Sequence, residues 1–203
     1  MKVSEEAPLG LRERKKLQTR SALSWAVIRL SVEHGWANVT VEDAAAAANV
    51  SERTFRNYFS SKAEAVAARH LDRMLLVAVE LQGRPAGEPL WDAITGAVLS
   101  QFAGGEPRGH EWTDAIQLML TEPDVAGEVL RANATAQRDL GVAIARRTGT
   151  DPAHDLYPSL VAATTNAAIT TVMDHWLRAD PPVAIEALMR DAFGQLQAGL
   201  PVP

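Results

Sequence analysis

The stretch T-V-E-D-A-A-A-A-A-N-V-S-E-R-T-F-R-N-Y-F-S-S-K, residues 40–62, decides the fold of this chain, because it reads as two short helical phrases joined by a tight turn. Thr40 is placed to cap the first phrase, whose alanines leave no bulk between that helix and a neighbour. Ser51 is placed to cap the second, two residues after Asn49. Asn is one of the few residues with a side chain that tolerates a positive φ, so Asn49 suits the turn. The pattern is a helix-turn-helix, with residues 51–59 as the helix that reads. On that helix Arg53, Arg56 and Asn57 protrude and should meet base edges, with Glu52 a candidate acceptor from cytosine. Thr54 and Tyr58 add further donors, while Phe55 and Phe59, four apart, share an inward face.

Working outward, the charge distribution agrees with a nucleic-acid contact confined to one end. The 203 residues carry a net charge of -5, which looks wrong for such a contact until it is split. Residues 1–73 hold 12 Lys and Arg against 9 Asp and Glu, and the remainder holds 8 against 16. Every lysine lies at or before Lys62, so attraction to phosphate belongs to the first third and the acidic remainder should face away. Arg12, Arg14, Lys15, Lys16 and Arg20 form a basic lead into the first helix, after a polar start at residues 1–9 expected to be disordered. Leu23, Ala26, Val27 and Leu30 then recur at helical spacing until Gly35 and Trp36 stop the helix.

These fragments carry a family resemblance. The chain resembles the TetR family of bacterial transcriptional regulators in T-V-E-D-A-A (residues 40–45), V-S-E-R-T-F (50–55), N-Y-F (57–59) and S-K-A-E (61–64), in the family's order and spacing. It departs from the pattern at Asn49, where Gly is usual, at Ala44 and Ser31, where larger residues are usual, and at Arg56, where an aromatic is common. The first three concern packing, and Arg56 concerns which sequence is read. The resemblance implies that Thr40, Thr54, Tyr58 and Lys62 hold phosphates of a double-stranded operator. It also implies a homodimer formed through the last two helices, and hence an inverted-repeat operator. Ser61 and Glu64 give a capping-box pattern for a fourth helix, and a lysine in its first turn, Lys62, is unfavourable for the helix dipole unless a phosphate is near.

The rest of the chain punctuates itself with Gly and Pro. A connector, residues 83–89, is followed by helices expected at 91–102, 111–120, 123–148, 151–178 and 180–198, where Pro123, Pro152, Pro181 and Pro182 sit in first turns. With the first four helices that makes nine, and no alternating pattern of convincing length appears, so the expected fold is all-α. The expected division is a DNA-binding domain at 10–60, a connecting helix at 61–82 and a ligand-binding and dimerisation domain at 83–203. Ile185, Leu188, Met189, Ala192, Phe193 and Leu196 in the last helix either complete the monomer or pair with a second copy.

Function classes narrow from there. With no cysteine there is no disulfide or thiolate metal site, and no apolar run approaches the roughly 18 residues of a membrane helix. The charged start is not a signal peptide, so the expected location is the cytoplasm. The histidines, His34, His70, His110, His154 and His175, lack metal spacing, no nucleophile elbow or phosphate loop appears, and no cofactor is called for. An enzyme is therefore disfavoured, as is an architectural DNA binder that ignores ligands, since roughly 130 acidic helical residues would be a large dimerisation device. The middle helices bring Trp91, Phe102, Trp112, Ile116, Met119 and Leu120, and the long helices bring Asn133, Gln137, Asn166 and Thr170. Apolar walls with few polar groups suit a hydrophobic small-molecule ligand. Small residues at 161–171 permit close helix approach, a hollow, or both. The C-terminal part also resembles regulators of the family that bind acyl-coenzyme A or similar compounds.

Overall fold

The computed structural model describes residues 10–102, 110–180 and 183–202, except for the side chains of 110–112 and 119–120. These residues form nine α-helices and no strand: α1 Leu11–His34, α2 Val41–Ala47, α3 Glu52–Arg56, α4 Lys62–Gly83, α5 Leu90–Ser100, α6 His110–Thr121, α7 Pro123–Thr148, α8 Leu156–Arg178 and α9 Ile185–Gln197. A single 3-10 turn, Trp36–Asn38, follows α1. Residues 1–9, expected to be disordered, and Pro181 and Pro182, expected in a first turn, lie outside the described residues.

Local chemistry sets the ends of the short N-terminal helices. α1 stops where Gly35 takes φ 84°, its N–H donating to the Ser31 carbonyl at 2.9 Å. Thr40 then caps α2 in a reciprocal box. Its hydroxyl accepts from the Asp43 N–H at 3.1 Å, and the Asp43 carboxylate accepts from the Thr40 N–H at 2.9 Å. Asn49 takes φ 56°, as the turn requires, and the Ser51 hydroxyl accepts from the Thr54 N–H at 3.1 Å. The reading helix is shorter than 51–59: α3 ends at Arg56, and a turn with Phe59 N–H donating to Phe55 at 2.9 Å carries Phe59 into the core. Ser61 caps α4, but Glu64 does not complete a box with it. Its carboxylate reaches one residue further back, to the Ser60 N–H and hydroxyl at 2.6 and 2.7 Å.

Two apolar cores meet along α4. The first gathers Leu23, Val27, Ile28, Ala44, Phe55 and Phe59 around Ala63, Ala65, Val66 and Ala68 of α4. The second gathers Ile94, Phe102, Ile144, Ile169, Met189 and Phe193 around Met74, Val77, Ala78 and Leu81. The N-terminal core does not close at residue 60, however, because Ala115 and Leu118 of α6 and Val125 of α7 belong to it. His70 is buried on α4 between the two groups and bonds Asn133 of α7. The 83–89 connector is pinned: Arg84 and Glu88 pair at 2.6 Å, and Arg147 of α7 donates to the carbonyls of Pro85 and Glu88 at 2.6 and 2.7 Å. Gly96 leaves the space in which the Arg84 guanidinium lies, since a Cβ there would come within 2.4 Å of it.

Two helix starts differ from the proline reading. Pro123 opens α7 at its first turn, as expected. Pro152 does not open α8: Asp151 accepts from Ala153 N–H at 2.8 Å and from His154, and Asp155 accepts from Asp151 N–H at 2.7 Å, which folds residues 151–155 into a turn ahead of Leu156. The last helix begins at Ile185 rather than 180. Its apolar stripe completes the monomer, with Ile185, Met189 and Phe193 buried and Leu188, Ala192 and Leu196 packed against the same core.

Candidate nucleic-acid interface

The reading face is built by a helix of five residues held at both ends. Phe55, fully buried, meets Phe59 edge to face at 5.7 Å, and this anchor leaves Glu52, Arg53, Arg56 and Asn57 turned to the surface. All four base-reading candidates are thus brought together. Arg56 is not loose among them: its Nε and Nη2 both donate to Oε1 of Glu52, at 2.9 and 2.6 Å.

Beside this face lies a groove of about 680 Å³ lined by Arg12, Glu13, Lys15, Lys16 and Thr19 of α1 and by Thr54, Asn57 and Tyr58. The basic lead and the reading helix, some forty positions apart in sequence, thus form one cationic concavity of the kind that suits a phosphate backbone. Thr19 has no signal in the sequence; it enters because it lies one turn after Lys15 on α1. Arg20 contributes differently, pairing with Asp72 of α4 and lying 5.4 Å above the Phe59 ring, which fastens α1 to the core. Trp25, to which the sequence assigns no role, is covered by the Arg69 guanidinium at 4.0 Å.

Thr40 and Lys62 are placed differently from the other phosphate candidates. The Thr40 hydroxyl is occupied by the capping box, and its bonds to Asp43 hold that carboxyl below its usual range. The Lys62 ammonium donates to the carbonyls of Trp36 and Val39, the latter at 2.8 Å, and sits 4.2 Å from the Trp36 ring. Those carbonyls lie at the start of the 3-10 turn and just after its end, so a lysine in the first turn of α4 is explained without a phosphate. Burial pushes its pKa below the lysine norm, partly offset by Asp124 and Glu122 at the α6–α7 corner.

Among the described side chains, the expected ligand residues do not line one pocket. Gln137 and Asn166 do meet, in an enclosed space between α4, α7 and α8 also lined by Met74, Val77, Ala136, Leu140, Ala162, Thr165 and Ile169. Its volume is about 10 Å³ for the centre of a water molecule, room for about one water. Asn133 instead bonds His70, and Ile116 lines a second space of about 10 Å³ beside His70. Trp91 packs on Phe193 at 6.5 Å, Phe102 is buried beneath Arg73, and the Thr170 hydroxyl donates to the Asn166 carbonyl. The side chains of Trp112, Met119 and Leu120 lie outside the described residues. Missed by the sequence reading is Thr165, wholly buried at the wall of the Gln137 space, whose Oγ1 has no hydrogen-bond partner.

A helix-turn-helix with a cationic flank, carried on a larger helical domain, defines a DNA-binding regulator. The relatives agree. Residues 26–68 match the family model for bacterial regulatory proteins of the tetR family, and residues 88–201 match the MftR C-terminal domain. The chain is 33% identical to the HTH-type transcriptional regulator TcmR of Streptomyces glaucescens, across 94% of this chain and 88% of that protein. The fold is similar to that of a TetR-family regulator from Syntrophomonas wolfei (TM-score 0.65, 15% identity, 92% and 98% of the two chains). It is also similar to that of Thermus thermophilus FadR, a TetR-family repressor solved with lauroyl-CoA (TM-score 0.57, 18% identity, 91% and 96%). The chain belongs to the TetR family of bacterial transcriptional regulators, and it is a DNA-binding protein rather than an enzyme.

Proposed function

We propose that this regulator is a homodimeric repressor that occupies an inverted-repeat operator and leaves it when a hydrophobic small molecule enters between α4, α7 and α8. The observation that carries the ligand reading is the Thr165 hydroxyl, buried without a partner beside Gln137 and Asn166 in an otherwise apolar setting. An unpaired buried hydroxyl costs about 1–3 kcal/mol, and a ligand that bonds it recovers that cost. Gln137 also lines an outer groove of about 380 Å³ on α7 and α8, so one side chain is shared by the surface and the interior. A ligand larger than a water requires α7 and α8 to part. Val125 of α7 lies in the core beneath the reading helix, which gives such a movement a route to the DNA contact.

The lauroyl-CoA bound by the Thermus thermophilus relative favours acyl-coenzyme A compounds as the first ligands to test. Titrating them, and aromatic compounds, while following tryptophan fluorescence and operator release together should move both signals. Thr165→Val should leave the free protein as stable or more stable and weaken release; release unchanged in that variant rules out this site. The small interior favours a second reading, a ligand-independent DNA binder, and that reading prevails if no hydrophobic compound alters either signal.

For the dimer, α8 presents Leu156, Tyr157 and Leu160 at the surface. Two reading helices must lie about 34–36 Å apart, or a further helical repeat, to share one face of DNA. Because Leu188 packs on its own core, Leu160, 55% exposed, is the cleaner probe. Leu160→Glu should give folded monomers with reduced operator affinity, and a variant that still elutes as a dimer places the interface elsewhere.

A further inference from the structure

We propose that Glu52 is a positioning residue for base reading: its carboxylate holds Arg56 by one edge of the guanidinium so that the other edge is presented to a guanine, and Glu52 itself touches no base. The inference rests on the reading that α3 enters the major groove of an operator. Arg56 Nε and Nη2 both donate to the same oxygen, Oε1 of Glu52, at 2.9 and 2.6 Å. A guanidinium carries five N–H donors in a rigid fork. Holding it along the Nε and Nη2 edge leaves the end-on edge, formed by the two Nη groups, pointing away from the carboxylate. That free edge has the spacing that a guanine reads through O6 and N7.

In solution the pair is worth little, since the two side chains are 58% and 45% exposed and water screens them. Its value arises on the DNA. An unpaired carboxylate at the start of α3 would enter the groove against the phosphates, whereas one already shared with Arg56 enters as a neutral pair. The order along the helix, Glu four residues before Arg, is the favourable one. Where the groove excludes water from the pair, Glu52 holds the Arg56 guanidinium along one edge, and the preference for guanine is sharpened by that fixed orientation.

The test is selection of bound sequences from randomised DNA by the full chain, comparing the wild type with Glu52→Gln, Glu52→Asp, Arg56→Ala and the double variant Glu52→Gln/Arg56→Ala. In Glu52→Gln the guanine preference at one position per half-site should fall about tenfold while affinity for random DNA rises, as one negative charge is lost. Glu52→Asp keeps the charge but is too short for the bond, and should lose the preference without that rise. In the Arg56→Ala background, Glu52→Gln should alter no base preference. A cytosine preference that disappears with Glu52→Gln even in that background shows direct reading by Glu52 and overturns the inference. So does a guanine preference unchanged in Glu52→Gln. A wild type that selects no sequence removes the operator reading and this inference with it.

Discussion

The helices at the two ends of this molecule begin in different ways. At the DNA-reading end α2, α3 and α4 each open on a hydroxyl, of Thr40, Ser51 and Ser61, that accepts from an N–H of the helix it precedes. In the C-terminal part α5, α7, α8 and α9 open at Pro89, Glu122, Asp155 and Ala184 with no such bond. Length explains the caps of α2 and α3, though not that of α4, which has 22 residues. α2 and α3 have 7 and 5 residues, far too few to hold themselves in water, whereas α7 and α8, with 26 and 23, are held by the faces they bury. α1, with 24 residues and an uncapped start at Gly10, sides with the long helices. A reading helix must keep one side bare for DNA, so caps and one aromatic anchor replace the packing it gives up.

The comparison can be broken most severely at the anchor. Phe55→Ala removes a fully buried ring and should cost about 3–5 kcal/mol. Because Ala115, Leu118 and Val125 belong to the same core, thermal unfolding should remain a single transition at a lower temperature. Two separate transitions would mean that the two cores are independent. Lys62→Met comes next, removing a charged donor from the Trp36 and Val39 carbonyls, with an expected loss of about 1.5–3 kcal/mol in urea unfolding without DNA. A lysine that serves only phosphate would show no loss there.

Cap removal sharpens the contrast at a smaller scale. Thr40→Ala and Ser51→Ala should each cost about 1 kcal/mol, while Glu122→Ala at the start of α7 should stay within about 0.5 kcal/mol. Equal losses at all three would end the distinction.

Last is a change of slope rather than of size, at the seam between the cores. Burial pushes the His70 imidazole below its usual value, with the bond to Asn133 opposing and the Arg73 charge adding to the depression. Arg69 lines the same small space. The folded chain therefore resists a proton that the unfolded chain accepts near pH 6.5, so stability is intact above that value and is lost as pH falls from it toward the depressed folded-state pKa. Denaturant midpoints measured between pH 7 and 5 should fall, and His70→Leu should flatten that decline.

What was legible in the sequence and what was not divide along the same line. The turn at Asn49, the caps at Thr40 and Ser51, the stop at Gly35 and the outward set Glu52, Arg53, Arg56 and Asn57 are all relations between residues a few positions apart, and each stands in the structure. The proline at 152 misled because a proline marks where a helix is permitted to start; there, bonds from Asp151 and Asp155 move that start to Leu156. The described members of the expected ligand set are dispersed because residue type says nothing about direction: Trp91 turns to Phe193 and Asn133 to His70, leaving Gln137 and Asn166 together.

The sequence by itself therefore determined an all-α chain with a helix-turn-helix, its caps and its reading face, because backbone hydrogen bonds within a turn are satisfied locally or not at all. Only the tertiary structure decided that Lys62 closes the turn before α2, that α1 joins the reading helix in one cationic groove, that the N-terminal core borrows from α6 and α7, and that Thr165 is left without a partner. Those outcomes depend on which distant side chains come to occupy the same volume, and close packing settles that for the whole chain at once.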